Sequence, residues 1–196
     1  MQYYIYSLFC FLLPGTVWLI CNRRMIADKA YKVRHIIWIY IYMFYGYLAV
    51  QEAAGIGTIW DLITYGKLDN SINLIPFSSE GAMTYILNII MFMPLGFLLP
   101  LIWKNFRNAK KVVLMGFLMS LAIEICQLFN LRTTDIDDLM MNTLGALAGY
   151  CCWKVFSLIF RNAGTKCMEI KKSEPVIYMF GGILGLFLLY NWRVFD

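Results

Sequence analysis

Hydrophobic positions run in six long stretches, at 3–20, 36–56, 84–103, 112–130, 139–160 and 175–190, with short polar connections between them. A helix needs about 20 apolar residues to cross the hydrocarbon core of a bilayer, and each stretch approaches that length. The pattern predicts an all-α, polytopic transmembrane helix bundle of about six spans. The second stretch carries Gln51 and Glu52 near its end, and the last is short; five spans result if 175–190 lies at the interface instead. The longest connection, 57–83, has its own pattern. Thr58 and Asp61 form a plausible capping pair, and Ile59, Trp60, Leu62, Ile63 and Tyr65 supply an apolar face. A short interfacial helix is expected there, with Trp60 and Tyr65 at headgroup level. In Asn73-Leu74-Ile75-Pro76-Phe77 the proline biases Ile75 to an extended backbone. That segment either re-enters the bilayer, caps the bundle or packs as an ordinary loop on the helix ends.

Composition supports the membrane assignment and charge orients it. The chain of 196 residues is 61% hydrophobic and 17% aromatic, with a mean hydropathy of +0.63, well above a soluble domain. Lys and Arg in short loops favour the cytoplasm. The first connection holds Arg23, Arg24, Lys29, Lys32 and Arg34, the third Lys104, Arg107, Lys110 and Lys111, and the fifth Arg161, Lys166, Lys171 and Lys172. The second and fourth carry only Lys67 and Arg132 against Glu52, Asp61, Asp69, Glu80, Asp135, Asp137 and Asp138. Both termini are therefore expected outside. The net charge of +5 is spread over separated loops, which excludes a nucleic-acid footprint. No basic region precedes the first apolar run and no small-residue cleavage site follows it, as expected of an uncleaved anchor. Cys10, Cys21, Cys126, Cys151 and Cys152 read as small buried hydrophobes, Cys167 falls in a loop, and their spacing fits neither a disulfide framework nor a metal site. His35, the single histidine, reads as an interfacial residue at the cytoplasmic face.

Within this topology the polar residues that do not suit an apolar bundle gather toward one side. They are Asn88, Glu124, Gln127, Arg132, Asp135, Asp137, Asp138 and Asn142, and together they form the candidate ligand-binding set. Pro94 should kink the third stretch beside Asn88. Glu124 lies about 9 Å below the outer end of the fourth at 1.5 Å per residue. A carboxylate at that depth costs a few kcal/mol, so it needs a partner, a cavity or a proton. Thr134 or Asp135 can cap the fifth stretch, and carboxylates in its first turn suit the helix dipole. That accounts for some of the acids, not for Arg132. Gly145, Ala146 and Gly149 allow a neighbouring helix close, and Gly181 and Gly185 form a similar packing pair. Arg132 can clamp a phosphate or carboxylate, oxygen-rich neighbours admit a divalent cation, and Glu124 and Asp138 are candidates for acid–base catalysis. No cofactor, metal motif, nucleotide loop or nucleophile–base pair stands out, so catalysis stays open.

Asn73-Leu74-Ile75-Pro76-Phe77, then Asn88 with Phe92-Met93-Pro94-Leu95-Gly96, then Glu124-Ile125-Cys126-Gln127, then Arg132, Asp135, Asp137, Asp138, Asn142 and Gly145 recur in this order in VanZ-like proteins. The chain resembles that family over roughly 38–155. The resemblance implies a core at 36–160, an additional span and basic loop at 1–35, and a loop with another span at 161–196. It also implies a bacterial, multi-pass cell-membrane protein whose family namesake is linked to low-level resistance to teicoplanin. The expected function is an outward-facing polar pocket that binds cell-envelope or lipid-linked components and influences glycopeptide susceptibility. The expected partners are the lipid bilayer and a lipid-linked envelope precursor or lipoglycopeptide. A membrane-embedded hydrolase or transferase, or a scaffold without catalysis, are the alternatives.

Overall fold

The computed structural model describes residues 2–22, 29–66, 72–77, 81–130, 134–160 and 171–195. Six long helices account for most of it, and they coincide with the six apolar stretches. They are α1 (Gln2–Asn22), α2 (Lys29–Tyr47), α4 (Ala82–Ile102), α5 (Ala109–Gln127), α6 (Ile136–Ile159) and α7 (Glu174–Leu189). α2 widens into a π-helical turn at Leu48–Ala54, which ends on Gly55 in the left-handed region. The expected short helix is α3 (Ile59–Tyr65). The Thr58 hydroxyl accepts from the Asp61 amide, and Asp61 accepts from the Thr58 amide in return.

The chain is an all-α transmembrane helix bundle. α1, Val33–Gln51 and α4 are each long and apolar enough to cross a membrane. α5 matches them in length but carries Lys110, Lys111 and Glu124, while α7 has only 16 residues. α7 nevertheless lies along α1: Gly185 meets the Cys10 carbonyl and Pro14, and Tyr6 donates to the Leu189 carbonyl at 2.6 Å. Helix direction alternates through the long helices in chain order, so their ends collect into two layers. One layer holds Lys104, Arg107, Lys110 and Lys111; the opposite one holds the starts of α4 and α6 and the end of α5.

The tightest packing joins α4 to α6. A methyl added at Gly145, Gly149 or Gly96 would collide with the carbonyl oxygen of Ile89, Met93 or Ala146, respectively. Ile89 and Met93 pair with Gly145 and Gly149 in the same order, so these two helices run parallel. α5 runs back between them in sequence and packs on α6 through Gly116, which faces Ala146. The core lies along these seams, with Phe92, Leu95, Leu99, Met119 and Ile123 fully buried. α4 stays helical through Pro94 and Pro100.

One sequence expectation is corrected, for the cysteines. His35 is packed within the bundle at 4% exposure, where Glu174, itself 0% exposed, accepts from its Nε2 at 3.0 Å. Glu174 also accepts from Trp103 Nε1 at 3.1 Å and Tyr178 Oη at 3.1 Å, so the carboxyl is surrounded by donors from α2, the residue capping α4, and α7. Of the cysteines, Cys10 and Cys126 are buried, but Cys21, Cys151 and Cys152 are exposed because they sit on helix faces that no neighbour covers. Cys167 lies outside the described residues.

Candidate functional site

Local pairing at the acidic end begins with two short strands. β1 (Ile72–Asn73) and β2 (Thr134–Asp135) lie parallel, with Asn73 opposite Asp135. Asp135 is the N-cap of α6: its Oδ1 accepts from the Asp137 amide at 2.9 Å, and its Oδ2 from Asn73 Nδ2 at 3.2 Å. Asp137 is completely buried and accepts from the Phe77 amide at 2.8 Å and the Tyr85 hydroxyl at 2.9 Å. These two carboxylates fasten the loop around Pro76 to the start of α6. Phe77 takes a φ of 61°, a costly conformation for a non-glycine residue, and its amide is the one held by Asp137. The loop therefore caps the bundle rather than hanging free, yet Leu74, Ile75 and Phe77 remain about two-thirds exposed.

Below this cap is a cavity of about 540 Å³ between α4, α5, α6 and the π-helical turn. Asn88, Glu124, Gln127, Asp138 and Asn142 all line it, with Thr84, Leu87, Ile90, Met91, Ile123, Ala53 and Ala54 completing the wall. The structure thus brings together five of the eight expected residues. Asp135 and Asp137 do not line the cavity, because capping and loop anchoring occupy them. Arg132 lies outside the described residues.

Within the cavity wall each polar group is placed by a partner on another element. Asn88 Nδ2 donates to Asp138 Oδ1 at 2.5 Å, linking α4 to α6. Glu124 Oε2 accepts from the Asp135 amide at 3.2 Å, tying the end of α5 to β2. Gln127 Nε2 donates to the Ala54 carbonyl at 2.9 Å, one of the carbonyls of the π-helical turn. Asn142 Nδ2 donates to Ser120 Oγ at 2.9 Å. Glu124, Gln127 and Asn142 are 3%, 6% and 2% exposed, whereas Asn88 and Asp138 are half-buried. Buried carboxylates and amides in such a site act through hydrogen bonding, proton transfer or cation contact. Among the described residues no group of three or more His, Cys, Asp or Glu side chains is placed to hold a metal ion.

Sequence reasoning found the lining through the clustering of polar residues in apolar segments. Ser120, four residues before Glu124, reads from the sequence as part of the same polar stripe, but its pairing with Asn142 does not, nor does Ala54 as the anchor of Gln127. Nothing in the sequence marks a backbone carbonyl freed by a π-helical turn.

The architecture and site define a class: an α-helical integral membrane protein with several polar side chains gathered near one end of the bundle. The family model described as VanZ/LLP1 matches residues 33–158. Protein VanZ of Enterococcus faecium is 36% identical over 134 residues, covering 67% of this chain and 77% of that relative. The chain belongs to the VanZ family. No solved structure matches it.

Proposed function

We propose that the cavity binds a lipid-linked component of the cell envelope at the outer leaflet. Binding there changes how teicoplanin-type glycopeptides engage the cell surface. The observation that carries this reading is the convergence of Asn88, Glu124, Gln127, Asp138 and Asn142 from three helices on one cavity. Capping or packing alone would not require that meeting. Kinship with VanZ proteins supports the link to glycopeptide susceptibility, as the resemblance implies. The basic layer of Lys104, Arg107, Lys110 and Lys111 faces the cytoplasm in this reading, and the cavity end and both termini face outward. Arg132, a few residues after α5 in the sequence, is the candidate clamp for a phosphate or carboxylate on the ligand.

The test is glycopeptide susceptibility at equal expression of wild type, Glu124→Gln and Arg132→Ala. Both variants should return susceptibility to that of cells lacking the protein, and unchanged phenotypes in both would defeat the proposal. Two carboxylates, Glu124 and Asp138, share the cavity, and this favours acid–base chemistry as the second reading. It requires turnover of a lipid-linked substrate by purified protein, abolished by Asp138→Asn. No turnover with any divalent metal present would count against it.

A further inference from the structure

Residues 72–77 turn their side chains the opposite way from a loop in water. Ile72, Leu74, Ile75, Pro76 and Phe77 are all exposed, whereas Asn73, the one polar side chain among them, is half-buried against Asp135. Asn73 Oδ1 also accepts from the Ile75 amide at 3.2 Å, which shapes the turn. A water-facing loop tucks its apolar side chains in and leaves its polar ones out, and an exposed apolar patch marks a surface that something apolar covers. The tip does not fold back on the bundle. The buried Asp137 carboxylate holds the Phe77 amide while the Phe77 backbone keeps its φ of 61°. A strained backbone fixed by a buried anchor thus keeps apolar side chains pointing away from the protein.

The depth of this tip follows from α4. Its 21 residues give roughly 31 Å of helix against about 30 Å of hydrocarbon, so its first turn lies at the boundary of the hydrocarbon core or below it. Asp137 accepts from the Phe77 amide and also from the hydroxyl of Tyr85, the fourth residue of α4. The Phe77 and Tyr85 rings meet edge to face, with 6.1 Å between centroids. Met83 and Ile86, on either side of Tyr85 in the chain, are exposed on a membrane-spanning helix and so meet acyl chains. The tip therefore stands level with the first lipid-facing turn of α4 and continues its apolar surface.

We infer that residues 72–77 insert their apolar side chains into the bilayer where headgroups give way to acyl chains, a second membrane contact beside the spanning helices. Leu74, Ile75 and Phe77 meet lipid, and removal of their surface from water drives the contact. Asn73 and Asp135 stay on the protein side and hold the segment to the bundle. Lipid is the occupant, rather than a second protein, because the patch continues the lipid-facing turn of α4 at the same depth. This contact does not depend on what the cavity binds.

A photocrosslinking side chain that inserts into nearby C–H bonds reports what covers each position. The full-length protein carrying Leu74→p-benzoylphenylalanine or Ile75→p-benzoylphenylalanine is reconstituted into vesicles of phosphatidylethanolamine and phosphatidylglycerol, irradiated and weighed by mass spectrometry. Ile86→p-benzoylphenylalanine, on the lipid-facing side of α4, is the reference. Both tip positions should carry phospholipid adducts in yields equal to the reference. Two variants are read because either substitution alone could disturb folding; both positions are exposed and neither side chain packs in the core. Loss of lipid adducts at both positions while Ile86 retains them places the tip in water and overturns the inference. Crosslinks to a second copy of the chain at both positions, in place of lipid, overturn it as well and make the tip an interface between copies.

Discussion

Asp137 and Glu174 illustrate two ways a buried carboxylate is kept in place, at opposite ends of the bundle. Asp137 accepts from a backbone amide and a tyrosine hydroxyl; Glu174 accepts from His35, Trp103 and Tyr178. Removing either takes a shared acceptor away from several donors. Asp137→Ala should loosen the segment around Phe77 by about 1–3 kcal/mol, seen as faster amide exchange at Phe77. Glu174→Ala should destabilise the fold by roughly 3–5 kcal/mol, read by unfolding in detergent, because it breaks a fully buried pair. The sequence grouped eight polar residues on one side but did not separate those that line the cavity from those that pin the loop. The division depends on β1 pairing with β2, two-residue strands too short to leave a periodic signal. Glu174 escaped notice for a related reason. Beside Pro175 it reads as a charge in a connection, and its histidine lies 139 positions away.

At the scale of elements, five of the six long helices were legible to within about three residues, because an apolar run in a membrane protein records its own length, whereas α2 begins at Lys29, ahead of its apolar stretch. The π-helical turn after α2 was not, since Leu48–Ala54 has no distinguishing composition. Glycines gave the seams only in part. Gly181 and Gly185 are spaced as a pair, yet a methyl at Gly181 would meet Pro14 at an ordinary 3.5 Å, while one at Gly185 would strike the Cys10 carbonyl. Gly185→Ala should therefore cost about 1–3 kcal/mol in an unfolding experiment, and Gly181→Ala should fall within experimental error. Equal effects would mean that α1 and α7 do not pack in this register.

For the whole molecule, the charge pattern and the alternation of helix directions describe the same arrangement from different starting points. Basic residues gather at the ends of helices that the fold places in one layer. With that layer in the cytoplasm, an alkaline phosphatase reporter fused after Asp196 should be active on the outer side, and the same reporter fused after Phe106 should be inactive. The reverse pattern would invert the bundle and place the cavity on the cytoplasmic side.

The parallel course of α4 and α6 bears on how the chain is made. Asn88 enters the membrane on α4, but its partner Asp138 is synthesised only after α5 has threaded back across. Until then a carboxamide waits in hydrocarbon without that partner, and the earlier helix has to be sheltered during translation. Ribosome-stalled chains ending before α6 should thus remain crosslinkable through position 88 to the insertion machinery, and should be released once that later helix emerges.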